Sequence, residues 1–372
     1  PVHASVTGVV ERLVEVPTVR GPKSWAVVVR THAGASQEAA PLGPPRDPER
    51  LGGPAIVRAV RASGLVGLGG AAFPTYVKLS PAARNTIDTL VVNGCECEPY
   101  LTADHRVMLE EGADLAVGLR LAMRALGVTR AVVGVEDDKR DAARALAAAL
   151  AGVPGAEVEL VATKYPQGAE KMLVKALLGR EIPRGGLPAH VGVALQNVGT
   201  LAQLGRLVPR NEGLVERVVT VAGPAVARPG NYRVALGTPL AFVLQQAGAP
   251  ALPGMVILGG AMMGHAVPSL EVPVNPGTNG VLAFAGDPAA TKAPYHCIRC
   301  GRCVAACPMG LEPAELGLLA RAREYARMAA EHHLLDCVEC GSCAYVCPAG
   351  IPLVQYMRIA KSIHRERQRR AA

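Results

Sequence analysis

Eight cysteines dictate how the last quarter of this chain can fold. They are spaced Cys297-x-x-Cys300-x-x-Cys303-x-x-x-Cys307-Pro308 and Cys337-x-x-Cys340-x-x-Cys343-x-x-x-Cys347-Pro348. Three thiolates at two-residue gaps sit on one tight loop and reach three corners of a cubane. The fourth cysteine opens a helix that points away, and in two-cluster ferredoxins it ligates the other cluster. Cluster one therefore takes Cys297, Cys300, Cys303 and Cys347, and cluster two takes Cys337, Cys340, Cys343 and Cys307. Gly301 and Gly341 let the backbone approach a sulfide, and Pro308 and Pro348 fix the chain's exit. Structural zinc would use Cys-x-x-Cys pairs and has no use for a third cysteine or the trailing proline. Disulfides would imply an oxidising compartment, and no export signal is present. The spacing predicts two [4Fe–4S] clusters and implies an electron carrier.

The remaining residues suffice for two or three domains, since the chain has 372 residues at 50% hydrophobic content. Aromatics make up only 3%, against 41 Gly and 30 Pro, so the cores are built from Val, Leu and Ala in an α/β chain with many tight turns. A formal net charge of +8 suits an acidic partner protein, an anionic nucleotide or an anionic membrane surface. Nucleic acid is a poor fit, because the basic residues are dispersed and no aromatic stacking platform accompanies them. No run of 18 or more uncharged apolar residues reads as a transmembrane span. Met is absent at position 1, and the chain opens on a strand-like run from Pro1 to Val14, which reads as lacking preceding sequence.

Patterning divides the chain into segments. Residues 1–38 read as a β-hairpin, the remnant of an N-terminal β domain, with strands Val6 to Val16 and Trp25 to Arg30 around a turn at Arg20–Lys23. The Pro-rich stretch 39–54 reads as a linker. Residues 55–212 alternate short buried strands (89–93, 131–135, 157–162) with helices (108–126, 141–150, 169–178), which predicts a mostly parallel sheet flanked by helices. Residues 213–284 predict a small β-grasp-like module, with strands at 218–222, 232–236 and 255–258 and a helix over 239–247. Residues 285–372 predict a helical ferredoxin-type domain wrapped around the cysteines.

A glycine loop, Gly67-Leu-Gly-Gly-Ala-Ala-Phe-Pro-Thr-x-x-Lys78, contains Gly67-x-Gly69-x-x-Ala72, superficially a dinucleotide fingerprint. The residues before it read as helix rather than strand, and Pro74 stands where the fingerprint's helix should run. What remains is a loop of exposed amides with Lys78 nearby, suited to a phosphate or a flavin edge.

This loop is followed in order by Asn93-Gly-Cys-Glu-Cys-Glu-Pro-Tyr-Leu-Thr-Ala-Asp104, Thr163-Lys-Tyr-Pro-Gln-Gly-Ala-Glu-Lys171 and Gln196-Asn-Val-Gly-Thr200, and then by the two cysteine motifs with Pro308-Met-Gly-Leu311. Over nearly its whole length the chain resembles the C subunit of the Rnf electron-transport complex, and its core is similar to the flavin-bearing, NADH-oxidising subunit of respiratory complex I. The resemblance implies a complex I flavin-subunit-like α/β domain, an SLBB-like β-grasp module and a double [4Fe–4S] domain. It implies FMN in the α/β domain with NADH stacked upon it. Matched positions give Gly67, Gly69, Gly70 and Lys78 to the flavin and its phosphate, with Asn93, Glu98, Asn197 and Thr200 at further flavin positions. Glu136 falls where the nicotinamide nucleotide is contacted; read alone, Glu136–Lys139 is a solvated turn after a strand. Ala72 replaces the usual glycine of the loop. Cys95 stands where the complex I pattern has Asp and Rnf relatives usually have Ala.

The expected protein is a peripheral subunit on the cytoplasmic face of a bacterial membrane. It would exchange electrons between NAD(H), FMN and two clusters, and so with ferredoxin indirectly. Its partners would be the membrane-embedded and iron–sulfur subunits of the same ion-translocating oxidoreductase. Two alternatives are a soluble cobalamin reductase-like protein of a microcompartment and a non-enzymatic electron relay whose α/β region only docks partners. Cys95 and Cys97 read as small residues packed in a buried loop. Adjacent His332 and His333 point to different helix faces, and His190 and His265 are single loop histidines. The basic tail Lys361–Arg370 reads as a solvated helix end, with acidic lipid or a partner as the alternative.

Overall fold

The computed structural model describes residues 1–18, 23–34, 40–80, 87–251, 253–286 and 293–371. They form two compact units, Pro1–Ile182 with Leu187–Gly286, and Pro183–Gly186 with Asp287–Ala372.

The first unit opens with an antiparallel hairpin, β1 Gly8–Val16 and β2 Ser24–Thr31. Of its expected turn, residues 20–22 lie outside the described residues. The expected linker is held down: Leu42 and Arg46 donate their amides to the carbonyls of Asn211 and Pro209. Then come α1 Gly53–Ser63, α2 Thr75–Leu79, β3 Thr89–Gly94, α3 Ala103–Glu110, α4 Gly112–Leu126, β4 Arg130–Glu136, α5 Arg140–Leu150, β5 Ala156–Val161, α6 Glu170–Leu178, β6 Val193–Asn197 and α7 Val198–Arg210. The four strands β3 to β6 pair in parallel in the order β5-β4-β3-β6. Buried Val and Leu of these strands suit a sheet covered on both faces. Helices α4 and α7 cross closely: a Cβ on Gly205 would lie 1.8 Å from the Asp114 carbonyl oxygen, so only glycine permits the approach. The helix expected over 108–126 is two helices meeting at Glu111. The apolar periodicity runs through that break, and Glu111 leaves helical geometry while its carboxylate takes Arg233 at 2.8 Å.

The second part of this unit is a five-stranded sheet with one helix. It comprises β7 Glu216–Ala222, β8 Gly230–Ala235, α8 Leu240–Gln246, β9 Met255–Leu258, β10 His265–Ala266 and β11 Gly280–Phe284. Its order is β10-β9-β11-β7-β8, with β11 parallel to β7 and the other pairs antiparallel.

The second unit is helical: α9 Arg302–Ala305, α10 Pro313–Arg321, α11 Tyr325–Ala330, α12 Ser342–Tyr345 and α13 Leu353–Ala371. Leu316, Met328, Leu334, Leu353 and Met357 form its core, and the cysteines pack around it. Among the described residues no helix is long and apolar enough to cross a membrane.

Candidate flavin crevice and paired cluster cavities

In an open parallel sheet, ligands gather beyond the carboxyl ends of the strands where the strand order reverses. Here that point lies between β3 and β6, whose last residues are Gly94 and Asn197. The glycine loop lies against it. Asn197 caps α7, its Oδ1 accepting the Thr200 amide at 3.2 Å. Thr200 is fully buried, and its Oγ1 accepts the Leu68 amide at 2.9 Å. A Cβ on Gly69 would meet the Asn197 side chain at 3.4 Å, so loop and strand end are in contact. Gly67 closes the loop by donating to the Phe73 carbonyl at 2.8 Å. Gly70 has φ +107° and Ala72 has φ +52°. Ala72 therefore holds a left-handed conformation at a cost of about 1 kcal/mol, which a glycine there would avoid.

Arg217, which the sequence reading missed, completes this arrangement from β7. It is buried, and its guanidinium donates to the carbonyls of Leu68 (3.2 Å), Val218 (3.0 Å) and Pro276. The Leu68 residue is thus held at its N–H by Thr200 and at its C=O by Arg217.

The other expected residues divide. Asn93, at the end of β3, spans from the Cys95 amide to the Gly168 carbonyl. Glu136, at the end of β4, is fully buried; its Oε2 pairs with Lys139 at 2.8 Å, and its Oε1 has no partner in the protein. Lys78 sits at the free edge of β6, bonded to the Leu195 carbonyl (3.3 Å) and paired with Glu170 (3.1 Å). Glu98 receives the amides of Met262 and Met263, both at 2.9 Å, and so ties the α/β region to the five-stranded sheet. Further buried polar atoms also lack protein partners: Thr75 Oγ1, Gln196 Nε2, and both ends of the Gln167 carboxamide. Thr75 follows the glycine loop, Gln196 is the penultimate residue of β6, and Gln167 precedes Gly168, whose carbonyl Asn93 holds. Orphaned buried donors and acceptors are costly unless a polar ligand meets them. This set fits a polar, hydrogen-bonding cofactor such as FMN.

Behind the loop lies a buried acidic pair. Glu96 caps α3, its carboxylate accepting the Asp104 and His105 amides at 3.1 Å each, and Asp104 accepts from Asn197 at 2.6 Å. Burial, then the neighbouring Asp104 charge, raises Glu96 from an ordinary 4.5 to about 8, and burial raises Asp104 too. Burial lowers Arg217 to about 10, and it stays charged at neutral pH. The folded protein keeps the Glu96 proton to higher pH than the unfolded chain, so this contribution to stability is complete below about 4.5 and is lost as pH rises past about 8. The urea midpoint is accordingly expected to fall between about pH 5 and about pH 9, with a shallower slope in Glu96→Gln. Equal slopes in the two proteins would remove Glu96 as the source.

Cys95 and Cys97 behave as packed thiols. Cys95 is buried with its Sγ on the Gly134 carbonyl, and burial pushes it up and Cys97 to about 11.

In the second unit the two cysteine motifs build matching loops. Arg299 and Glu339 have positive φ, as do Gly301 (+73°) and Gly341 (+82°) at the start of α9 and α12. Cys297, Cys300, Cys303 and Cys347 line one cavity. Cys307, Cys337, Cys340 and Cys343 line another. Among the described residues the ten cysteines form no disulfide. Among the described residues no three His, Cys, Asp or Glu side chains converge as closely as a single ion would require. Four thiols spread around a cavity fit a multi-iron cluster better than a tetrahedral zinc ion. Burial pushes Cys343 up to about 12 and raises Cys303 and Cys337, so ionising these thiols calls for positive charge between them. The amides of Leu311 and Glu339 donate to the sulfurs of Cys307 and Cys337 at 3.4 Å.

Comparison with known proteins follows this division. The Nuo51 FMN-binding domain model matches residues 60–206, the SLBB domain model residues 218–266, and the 4Fe-4S dicluster domain model residues 296–351. These modules define an iron–sulfur flavoprotein that carries electrons. The C subunit of the Na(+)-translocating ferredoxin:NAD(+) oxidoreductase complex of Acetobacterium woodii is 41% identical over 85% of this chain and 71% of its own length. The C subunit of the proton-translocating ferredoxin:NAD(+) oxidoreductase complex of Clostridium ljungdahlii is 41% identical over 98% of this chain and 79% of its own. The chain belongs to the family of C subunits of ion-translocating ferredoxin:NAD(+) oxidoreductase complexes. It spans 52% of the Yersinia pseudotuberculosis relative, the C subunit of an ion-translocating oxidoreductase complex, at 42% identity. Among solved structures, an NAD+-reducing [NiFe]-hydrogenase in the H2-reduced state superposes with a TM-score of 0.57 at 23% identity, over 85% of this chain and 63% of the hydrogenase chain. That likeness bears on the fold.

Proposed function

We propose that this chain passes electrons between NAD(H), FMN and two [4Fe–4S] clusters as a peripheral subunit of a membrane-bound ion-translocating oxidoreductase. It would lie on the cytoplasmic face, held there by membrane-embedded and iron–sulfur partner subunits and linked through them to ferredoxin. The observation that carries this reading is the sorting of the eight thiols into two cavities, each framed by three cysteines of one motif and the fourth of the other. When bound, FMN supplies the exchange between two-electron hydride chemistry and single-electron steps. The protein's part is to bind and orient. Asn197, Thr200 and Arg217 hold the loop of Gly67, Gly69 and Gly70 against the end of β6. Gln167 and Gln196 would offer polar groups to the flavin, Asn93 would position the neighbouring Gly168, and Lys78 would hold the phosphate.

Glu136 holds its carboxylate in place through Lys139 and keeps Oε1 for a hydroxyl or amide of the nicotinamide nucleotide. Glu136→Gln is expected to raise KM for NADH by about tenfold at unchanged FMN content, the loss typical of a charged hydrogen bond. Loss of FMN with unaltered NADH affinity would move Glu136 to the flavin.

Anaerobic purification with iron and flavin quantification, followed by NADH titration, tests the whole scheme. The expected result is about eight irons and one flavin per chain, with bleaching of flavin and then of cluster absorbance. Clusters without flavin, or a flavin whose reduction never reaches the clusters, would sink it.

A further inference from the structure

The two cluster cavities are built alike but face different surroundings. Every residue lining the cavity of Cys307, Cys337, Cys340 and Cys343 is buried or half-buried. On the wall of the cavity of Cys297, Cys300, Cys303 and Cys347, by contrast, Ile298, Arg299, Cys300, Leu318 and Arg321 are exposed. Charge follows the same division. At matching positions, Arg299, Arg302 and Arg321 flank the first motif, whereas Glu339, Ser342 and Lys361 flank the second. Glu339 is neutralised by Lys361 at 3.0 Å and by Arg358 at 3.5 Å. The three arginines of the first motif have no ion-pair partner among the described residues, and no carboxylate lines their cavity. Beside them Ile298 is 67% exposed and Leu318 43% exposed. An apolar centre within a one-signed rim is the pattern of a docking surface for a partner of the opposite sign.

We infer that this face is the docking surface for an acidic electron-transfer protein or domain, which exchanges electrons with the cluster held by Cys297, Cys300, Cys303 and Cys347. The inference rests on the cluster reading above. One electron moves per encounter: the partner's one-electron centre is oxidised as the cluster is reduced, or the reverse, and no bond is made or broken.

The test uses the full chain with its clusters and a dithionite-reduced acidic [2Fe–2S] ferredoxin as probe, with cluster reduction followed by stopped flow. The second-order rate is expected to fall about tenfold between about 20 mM and about 500 mM salt. The double variant Arg299→Glu, Arg321→Glu should lose about tenfold at low salt and most of its salt dependence. Arg367→Glu, on the exposed tail, makes a single charge reversal elsewhere and should cost much less. Unchanged rates in the double variant, or an equal loss in Arg367→Glu, would overturn the docking surface. Iron analysis of each protein separates the premises: normal iron with an unchanged rate refutes the surface alone, whereas absent iron refutes the cluster reading and the surface with it.

Discussion

In Cys307→Ala, the thiols expected to become open to alkylation are Cys337, Cys340 and Cys343, thirty residues further along the chain, while Cys297, Cys300 and Cys303 beside the mutated position stay protected. Cys347→Ala should do the reverse. Each variant should keep about four of about eight irons. The reason is geometric. Cys307 follows α9, and its side chain lines the cavity of the second motif, whereas Cys347 lines that of the first. A buried thiol favours its neutral form, so removing one ligand leaves three that hold a cluster weakly and become neutral when it is lost. Mass spectrometry after alkylation under anaerobic conditions reads the outcome directly. Alkylation of Cys297, Cys300 and Cys303 in Cys307→Ala would mean that each motif closes its own cluster.

What could be read in advance depended on how far apart in sequence the cooperating residues lie. The crossed thiol sets follow from local spacing, because a Cys-x-x-Cys-x-x-Cys loop and a helix start leave little conformational choice. The strands beginning at Thr89 and Arg130 were legible for the same reason, each a short buried apolar run, whereas Val193–Asn197 was not read as a strand. The break at Glu111 was not legible: the apolar pattern runs through it, and Arg233, which its carboxylate pairs with, lies on a distant strand. Glu98 has a role that no position-by-position resemblance gives. Here its carboxylate receives the amides of Met262 and Met263, a partnership set by how two sheets pack. Glu136 gave the opposite lesson. Its local sequence, Glu-Asp-Asp-Lys, reads as a wet turn, yet Glu136 is fully buried with an unpartnered oxygen. Burial is a property of the assembled sheet, and no local pattern announces it.

Arg217 is the clearest residue of this kind, and its replacement carries the second large effect. It lies 149 positions from Leu68 in the chain, inside a Val-rich strand where a lone arginine suggests an outward-facing position. Instead it is buried, holding the carbonyls of Leu68, Val218 and Pro276 next to the carboxyl groups of Asp104 and Glu96. Arg217→Met keeps much of the volume and removes every donor. Two carbonyls outside its own strand lose a buried charged donor, and the acidic pair loses its nearby positive charge, for a combined cost of about 3–5 kcal/mol. Thr200 would still hold the Leu68 amide, but the carbonyl side of the glycine loop would be free to turn. FMN affinity, read by quenching of flavin fluorescence, is therefore expected to fall by tenfold or more, about 1.4 kcal/mol or greater. Arg217→Lys retains the charge but presents one ammonium where the guanidinium reaches separate acceptors, so it should recover stability more fully than FMN affinity. A merely structural arginine would lose both in proportion, and equal recovery of the two by lysine would show that the loop does not depend on the guanidinium's geometry.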